Sequence, residues 1–135
     1  MSSSDPSAFN DMIPFAAVVG IELLDAGPEL VRGRIRWRPE RCTAGGVMHG
    51  GAIMALADNC GGVCAFLNLP PGAQGTATVE SKTNFLRAVR DGAITASTRP
   101  LHKGRTLIVL ETVIEREDGK LAAKVTQTQA YHYLR

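Results

Sequence analysis

The stretch GGVMHGGAIMALAD, Gly45 to Asp58, decides how the rest of this 135-residue chain is read. Glycines flank a histidine, an apolar run begins, and an aspartate then stands among alanines and leucines. From Gly50 to about Leu67 the apolar positions Ile53, Leu56, Ala57, Cys60, Cys64 and Leu67 recur at spacings of three and four, which predicts one helix buried along a broad face. The following NLPPGAQG ends it, because Pro70 and Pro71 cannot continue a helix and the glycines supply turn geometry.

Working outward, Pro6 to Val18 reads as a short helix and Ile21 to Asp25 as a strand that stops at AGPE. In LVRGRIRWR, Val31, Gly33, Ile35 and Trp37 alternate with Arg32, Arg34, Arg36 and Arg38, the period of two of a half-buried strand with an arginine row on its solvent face. Beyond the helix, TATVESKTNFL, GAITASTRPL, RTLIVLETVIE and KLAAKVTQTQAYHYL are rich in Thr, Val and Ile and are separated by the hairpin signals RDG, HKG and EDG. Two strands, one long helix and four more strands predict a single α+β domain, an antiparallel sheet with the helix on one face. Residues 1–12 are expected to form a mobile N-terminal segment.

Composition narrows the function classes. With 44% apolar and 21% charged residues the chain is an ordinary globular protein, and a net charge of +2 with 5% aromatics argues against nucleic acid as a partner. Asp11, Pro14 and Glu22 interrupt the only apolar run near the start, which also has no basic leader, so neither a membrane span nor a signal peptide is expected and the predicted location is the cytoplasm. Cys42, Cys60 and Cys64 read as reduced thiols, the last two as small core residues. His49, His102, His132 and the cysteines lack ligand spacing, and neither a metal nor a cofactor is expected.

The chemistry concentrates on the helix. A helix N-terminus carries unpaired N–H groups and about half a positive charge, and Gly50 and Gly51 let a polarised carbonyl oxygen come close, as in an oxyanion hole; the alternative is that they only permit a tight loop entry. Asp58 follows eight positions later, on the order of 12 Å along the axis, so one helix cannot bring both groups to one atom. Unless Asp58 merely pairs with an arginine, the simplest geometry sets a second copy of the helix antiparallel to the first, which demands a two-fold homodimer. Gly61 and Gly62 each cost roughly 1 kcal/mol relative to alanine in mid-helix, which close approach to the sheet or a partner helix would offset; a kink is the alternative.

The pattern GxxHGGxxxxLAD, Gly46 to Asp58, together with NFLRAVRDG and HKGRTL, resembles the hot-dog-fold acyl-CoA thioesterases of the phenylacetate-pathway PaaI type, over about residues 13 to 133. The resemblance implies a long central helix wrapped by a curved six-stranded antiparallel sheet, with two protomers joined edge to edge and active sites between subunits. It further implies that the Gly50 N–H polarises the thioester carbonyl, that His49 fixes the loop and substrate beside Gly51, that Asp58 of the opposite subunit supplies the carboxylate, and that Thr78 orients the water. Thr43 stands where that family usually has asparagine, six residues before the histidine, and cannot make both amide hydrogen bonds.

The expected reaction is hydrolysis of an acyl-CoA thioester, Asp58 acting as general base on water or as nucleophile through an anhydride. For the phosphates of coenzyme A two basic clusters are candidates: RPLHKGR, with Arg99, His102, Lys103, Gly104 and Arg105, and the pair Arg87 and Arg90. The expected partners are the acyl-CoA and further copies of the chain, as a homodimer and a dimer of dimers. A non-hydrolytic acyl-CoA binding module would dispense with the carboxylate, so Asp58 speaks against it; a hydratase would want a histidine and a carboxylate converging on the acyl chain, and the double glycine beside His49 fits carbonyl polarisation better.

Overall fold

The computed structural model describes residues 5–134; the first four residues of the expected N-terminal segment lie outside the described residues. The chain opens with two short helices, α1 (Pro6–Met12) and α2 (Pro14–Val19), where one was expected. Pro14 divides them: it forces Ile13 into an extended conformation and itself starts the second helix. Asp5 caps α1 by accepting from the Ser7 N–H at 3.0 Å, Phe9 packs edge-on against Phe66, and Asn10 Nδ2 donates to the Ile21 carbonyl at 2.7 Å.

Strands β1 (Glu22–Ala26) and β2 (Val31–Arg36) follow, then α3 (Gly50–Leu67), then β3 (Ala73–Phe85), β4 (Ala93–Lys103), β5 (Leu107–Arg116) and β6 (Leu121–Tyr133). The six strands form one antiparallel sheet in the order β1-β2-β4-β5-β6-β3, wrapped around α3: the hot-dog fold. The hairpins β4–β5 and β5–β6 are local, whereas β3, the first strand after the helix, crosses to the far side and pairs with β6.

Period-two patterning sets the core. Val31, Gly33 and Ile35 of β2, Ile94, Ala96 and Thr98 of β4, Ile108, Leu110, Thr112 and Ile114 of β5, and Val125 of β6 face inward against Ile53, Leu56, Ala57, Cys60, Val63 and Cys64 of α3. The buried polar pair of β4 and β5 is self-satisfied, Thr98 Oγ1 and Thr112 Oγ1 lying 2.7 Å apart. Helix and sheet touch closely at Gly33, where a Cβ would stand 2.7 Å from Cys60 Sγ. Helix α3 is long and apolar enough to cross a bilayer by composition, but here the sheet buries half of it. The arginine row of β2 is ion-paired rather than merely solvated: Arg32 reaches Asp25 at 2.8 Å, while Arg34 and Arg36 reach Glu22 at 3.1 and 3.3 Å.

Candidate active site

The segment entering α3 is built to hold one backbone amide open. A bridge between Cys42 and Met48 pinches off a small loop, closed by the Thr43 N–H on the Val47 carbonyl at 2.8 Å. Gly45 and Gly46 turn it with φ of 82° and 73°, the left-handed region where glycine carries no Cβ penalty. Trp37 Nε1 donates to the Gly46 carbonyl at 3.0 Å, and the Met48 N–H ties the loop to Val89 at 2.8 Å.

His49 is the N-cap of α3. Its Nδ1 accepts from the Gly51 N–H at 2.7 Å, and its carbonyl accepts from Ala52 and Ile53 at 3.0 and 3.3 Å. Four amides open any helix. Here three are taken, which leaves the Gly50 N–H as the one without a partner among the described residues. The two open amides expected from the glycine pair are thus one, because the histidine ring closes the other. With Nδ1 accepting, the neutral ring carries its proton on Nε2.

Gly50 lies in the wall of a cleft of about 380 Å³ shared with Thr43, Val47, Met48, Ile53 and the segment Phe85–Val89. A Cβ at position 50 would sit 3.1 Å from the Phe85 ring, so glycine keeps the approach to the amide clear. Thr43 and Arg87 both line this cleft; Arg87 spends one guanidinium nitrogen on the Leu121 carbonyl at 2.8 Å. Arg90 borders a second hollow with Asp91, Arg116 and Asp118. The other basic cluster is remote in the same chain. Lys103 is ion-paired with Glu29, and the neighbouring Pro28 carbonyl accepts from Asn68, the C-cap of α3, at 2.8 Å. His102, Gly104 and Arg105 therefore turn over the C-terminal end of the helix, with Gly50 at the other.

Asp58 is exposed on α3, and a single chain does not bring it into the Gly50 cleft. Instead the structure joins Asp58 to Thr78 on β3: Oδ1 accepts from the Thr78 hydroxyl at 2.6 Å. Behind Thr78 stand two residues that the sequence reading passed over, Gln127 and Gln129, 0% and 1% exposed on the inner face of β6. Gln129 Nε2 donates to Thr78 Oγ1 at 2.6 Å and to Gln127 Oε1 at 2.7 Å, and Gln127 Nε2 donates to the Ala57 carbonyl at 3.1 Å. A signal was present: in VTQTQAY the glutamines share the parity of Val125 and Tyr131, the core-facing set. Gly61 is explained by the same amides, since a Cβ there would lie 2.3 Å from Gln127 Nε2; Gly62 faces open space.

Burial pushes both helix thiols, Cys60 and Cys64, up to about 12, so they stay protonated and inert at neutral pH. Among the described residues no three of His, Cys, Asp and Glu converge as a metal site would need.

Comparison with known proteins sets this geometry in context. The family model of the thioesterase superfamily matches residues 45–123. The chain is 26% identical to a thioesterase of Haemophilus influenzae whose crystal structure matches with a TM-score of 0.90, covering 97% of this chain and 92% of that one. It is 33% identical over 85 residues to the 1,4-dihydroxy-2-naphthoyl-CoA hydrolase of Escherichia coli, 63% of this chain and 62% of that protein. The PaaI protein of the Escherichia coli phenylacetic acid degradation operon shares the fold, with a TM-score of 0.84 at 17% identity over 93% of this chain and 89% of that one.

Proposed function

Because the chain belongs to the thioesterase superfamily, we propose that it hydrolyses acyl-CoA thioesters in sites shared by two copies of itself, in the manner of the PaaI type. The observation that carries this reading is the complementary incompleteness of one chain. The lone free amide of Gly50 opens on a cleft with no carboxylate, while the Asp58 carboxylate stands on the same helix about 12 Å away with no amide facing it. A second α3 running antiparallel supplies each with the other.

The same second copy satisfies the sheet. β3 is an edge strand of 13 residues, and Val79 at its middle is 63% exposed. Pairing β3 with its two-fold mate closes that edge and sets the two helices side by side. Dimers of this kind can pair again into tetramers.

In the shared site the thioester carbonyl oxygen accepts from the Gly50 N–H, with the positive end of α3 behind it. His49 braces this amide group by holding Gly51 through Nδ1. Asp58 of the opposite chain activates water as general base, or attacks the carbonyl carbon and forms an anhydride that water opens. Both routes break the C–S bond and release the carboxylic acid and the coenzyme A thiol. The E. coli relative acts, by its name, on an aryl-CoA, which supports coenzyme A as the leaving group. Arg87, on the rim of the Gly50 cleft, is the better placed of the two candidate clusters to meet coenzyme A phosphates within one chain, and Lys103 is already engaged by Glu29. Three unpaired cysteines fit the reducing cytoplasm, where such thioesters are made.

The test is a panel of acyl-CoAs, aromatic and aliphatic, assayed for release of free thiol by wild type and Asp58→Asn. Release that depends on Asp58 supports the reading. A panel that includes 1,4-dihydroxy-2-naphthoyl-CoA and yields no thiol with any member contradicts it.

A further inference from the structure

The hydrogen bonds behind Asp58 have a direction, and a backbone atom sets it. The Ala57 carbonyl can only accept, so the side-chain amide of Gln127 must present Nε2 to it, at 3.1 Å. Its oxygen is thereby turned toward Gln129 and requires a donor, which Gln129 Nε2 supplies at 2.7 Å. The second proton of that nitrogen goes to Thr78 Oγ1 at 2.6 Å, while Gln129 Oε1 accepts from Thr76 Oγ1 at 3.0 Å. Thr78 has one proton. Facing a nitrogen that only donates, its hydroxyl must give that proton to Asp58 Oδ1, 2.6 Å away.

From this geometry we infer that Gln129 and Gln127 are positioning residues for the reaction: they fix the Thr78 hydroxyl as a donor to one oxygen of Asp58, which locks the carboxylate rotamer and leaves the other oxygen to the substrate or water. The inference rests on the hydrolase reading above. It also changes the expected part of Thr78. Its proton is committed to Asp58, so the hydroxyl aims the carboxylate and does not itself orient water by donation.

Three features show that the arrangement is built in. Both amides are buried where strand parity calls for apolar residues, a site where an unpartnered amide is costly. Gly61, on the helix that carries Asp58, is bare where a methyl group would overlap Gln127. And the relay begins at residue 57 and ends at residue 58 of that helix, so the sheet grips the backbone and the side chain of one turn together.

The experiment is a double-mutant cycle in the full chain. Gln129→Met keeps the side-chain length and deletes both donors; kcat is expected to fall on the order of 10- to 100-fold, with KM within about two-fold, as for a misplaced catalytic group. In a Thr78→Val background, Gln129→Met should cost no further kcat, a result that general loosening of the core would not give. Gln129→Glu is measured in parallel: an oxygen in place of Nε2 accepts from Thr78, diverts its proton from Asp58, and should lower kcat likewise. In 15N-labelled wild-type protein the Gln129 side-chain NH2 should exchange slowly with solvent and shift in Thr78→Val.

Wild-type kcat in either Gln129 variant, additive losses in the cycle, or a fast-exchanging Gln129 amide overturns the relay while Asp58→Asn remains inactive. Wild-type turnover by Asp58→Asn overturns the role given to Asp58, and the relay's catalytic role with it, whereas no thiol release from any acyl-CoA by the wild type overturns the hydrolase reading.

Discussion

The two edges of the sheet are treated in opposite ways. β1 has five residues, a bulge between Leu23 and Asp25, α1 lying against it, and acidic side chains tied to the arginines of β2. Short length, irregularity and charge are the devices that keep an edge from pairing. β3 has 13 residues and bares Val79 and much of its length. The contrast teaches which edge is blunted and which is left long and open, and the open edge is the one whose Thr78 touches Asp58.

The largest effect should come from the chemistry behind the open edge. Asp58→Asn keeps the shape and removes the charge, so kcat should drop ~100-fold or more with substrate affinity largely retained. Steady-state kinetics check this, and undiminished turnover would leave β3 as an interface without a catalytic role.

Next comes the edge itself. Val79→Lys places a charge on the β3 rim without touching the core of its own chain, and should shift the protein toward monomer with kcat/KM lower by about 10-fold or more in dilute solution. Asp25→Asn, on the blunted edge, should leave both oligomeric state and kcat unchanged. Size-exclusion chromatography alongside activity reads out both; equal behaviour of the two variants would erase the distinction between the edges.

The smallest effect belongs to β1. Arg34, chiefly through its hydrogen bond, and Arg36 hold the Glu22 carboxyl below its usual range. A value lowered by folding gives stability that is present above the unfolded-state value and lost as pH falls through the folded one. Glu22 is partly solvated, so Glu22→Gln should cost no more than ~1 kcal/mol at neutral pH, and the difference should shrink in acid as pH falls from the usual carboxylate value through the lowered folded-state one. Thermal unfolding at several pH values measures it, and a gap that widens in acid would contradict the assignment.

Much of this contrast was legible in the sequence. Helix α3 runs from Gly50 to Leu67, as its apolar spacing predicts, and β2 buries Val31, Gly33 and Ile35 as its alternation predicts, because period alone sets which side chains face the core. The single helix expected over Pro6 to Val18 is two, a break that Pro14 signals. For β3, the run TATVESKTNFL shows strand propensity without clean alternation, and in the folded chain its side chains are half-buried or exposed throughout. The His49 cap needs the ring to fold back onto Gly51, which spacing alone does not fix. The glutamine relay depends on the register of β3 against β6, Thr78 opposite Gln129, a pairing between residues 51 apart that no local pattern encodes.

The claim on which the rest depends is that Gly50 of one chain and Asp58 of another make one site. Mixing Gly50→Pro with Asp58→Asn tests it directly. Proline fits the first position of a helix and deletes the amide hydrogen, and its ring also fills the space beside Phe85 that glycine leaves clear. Each variant alone should be inactive. After subunit exchange at equal amounts, half the dimers are mixed and each holds one intact site, so activity should return to about a quarter of wild type. Proven exchange with no recovered activity would place both groups in the same chain and contradict the account.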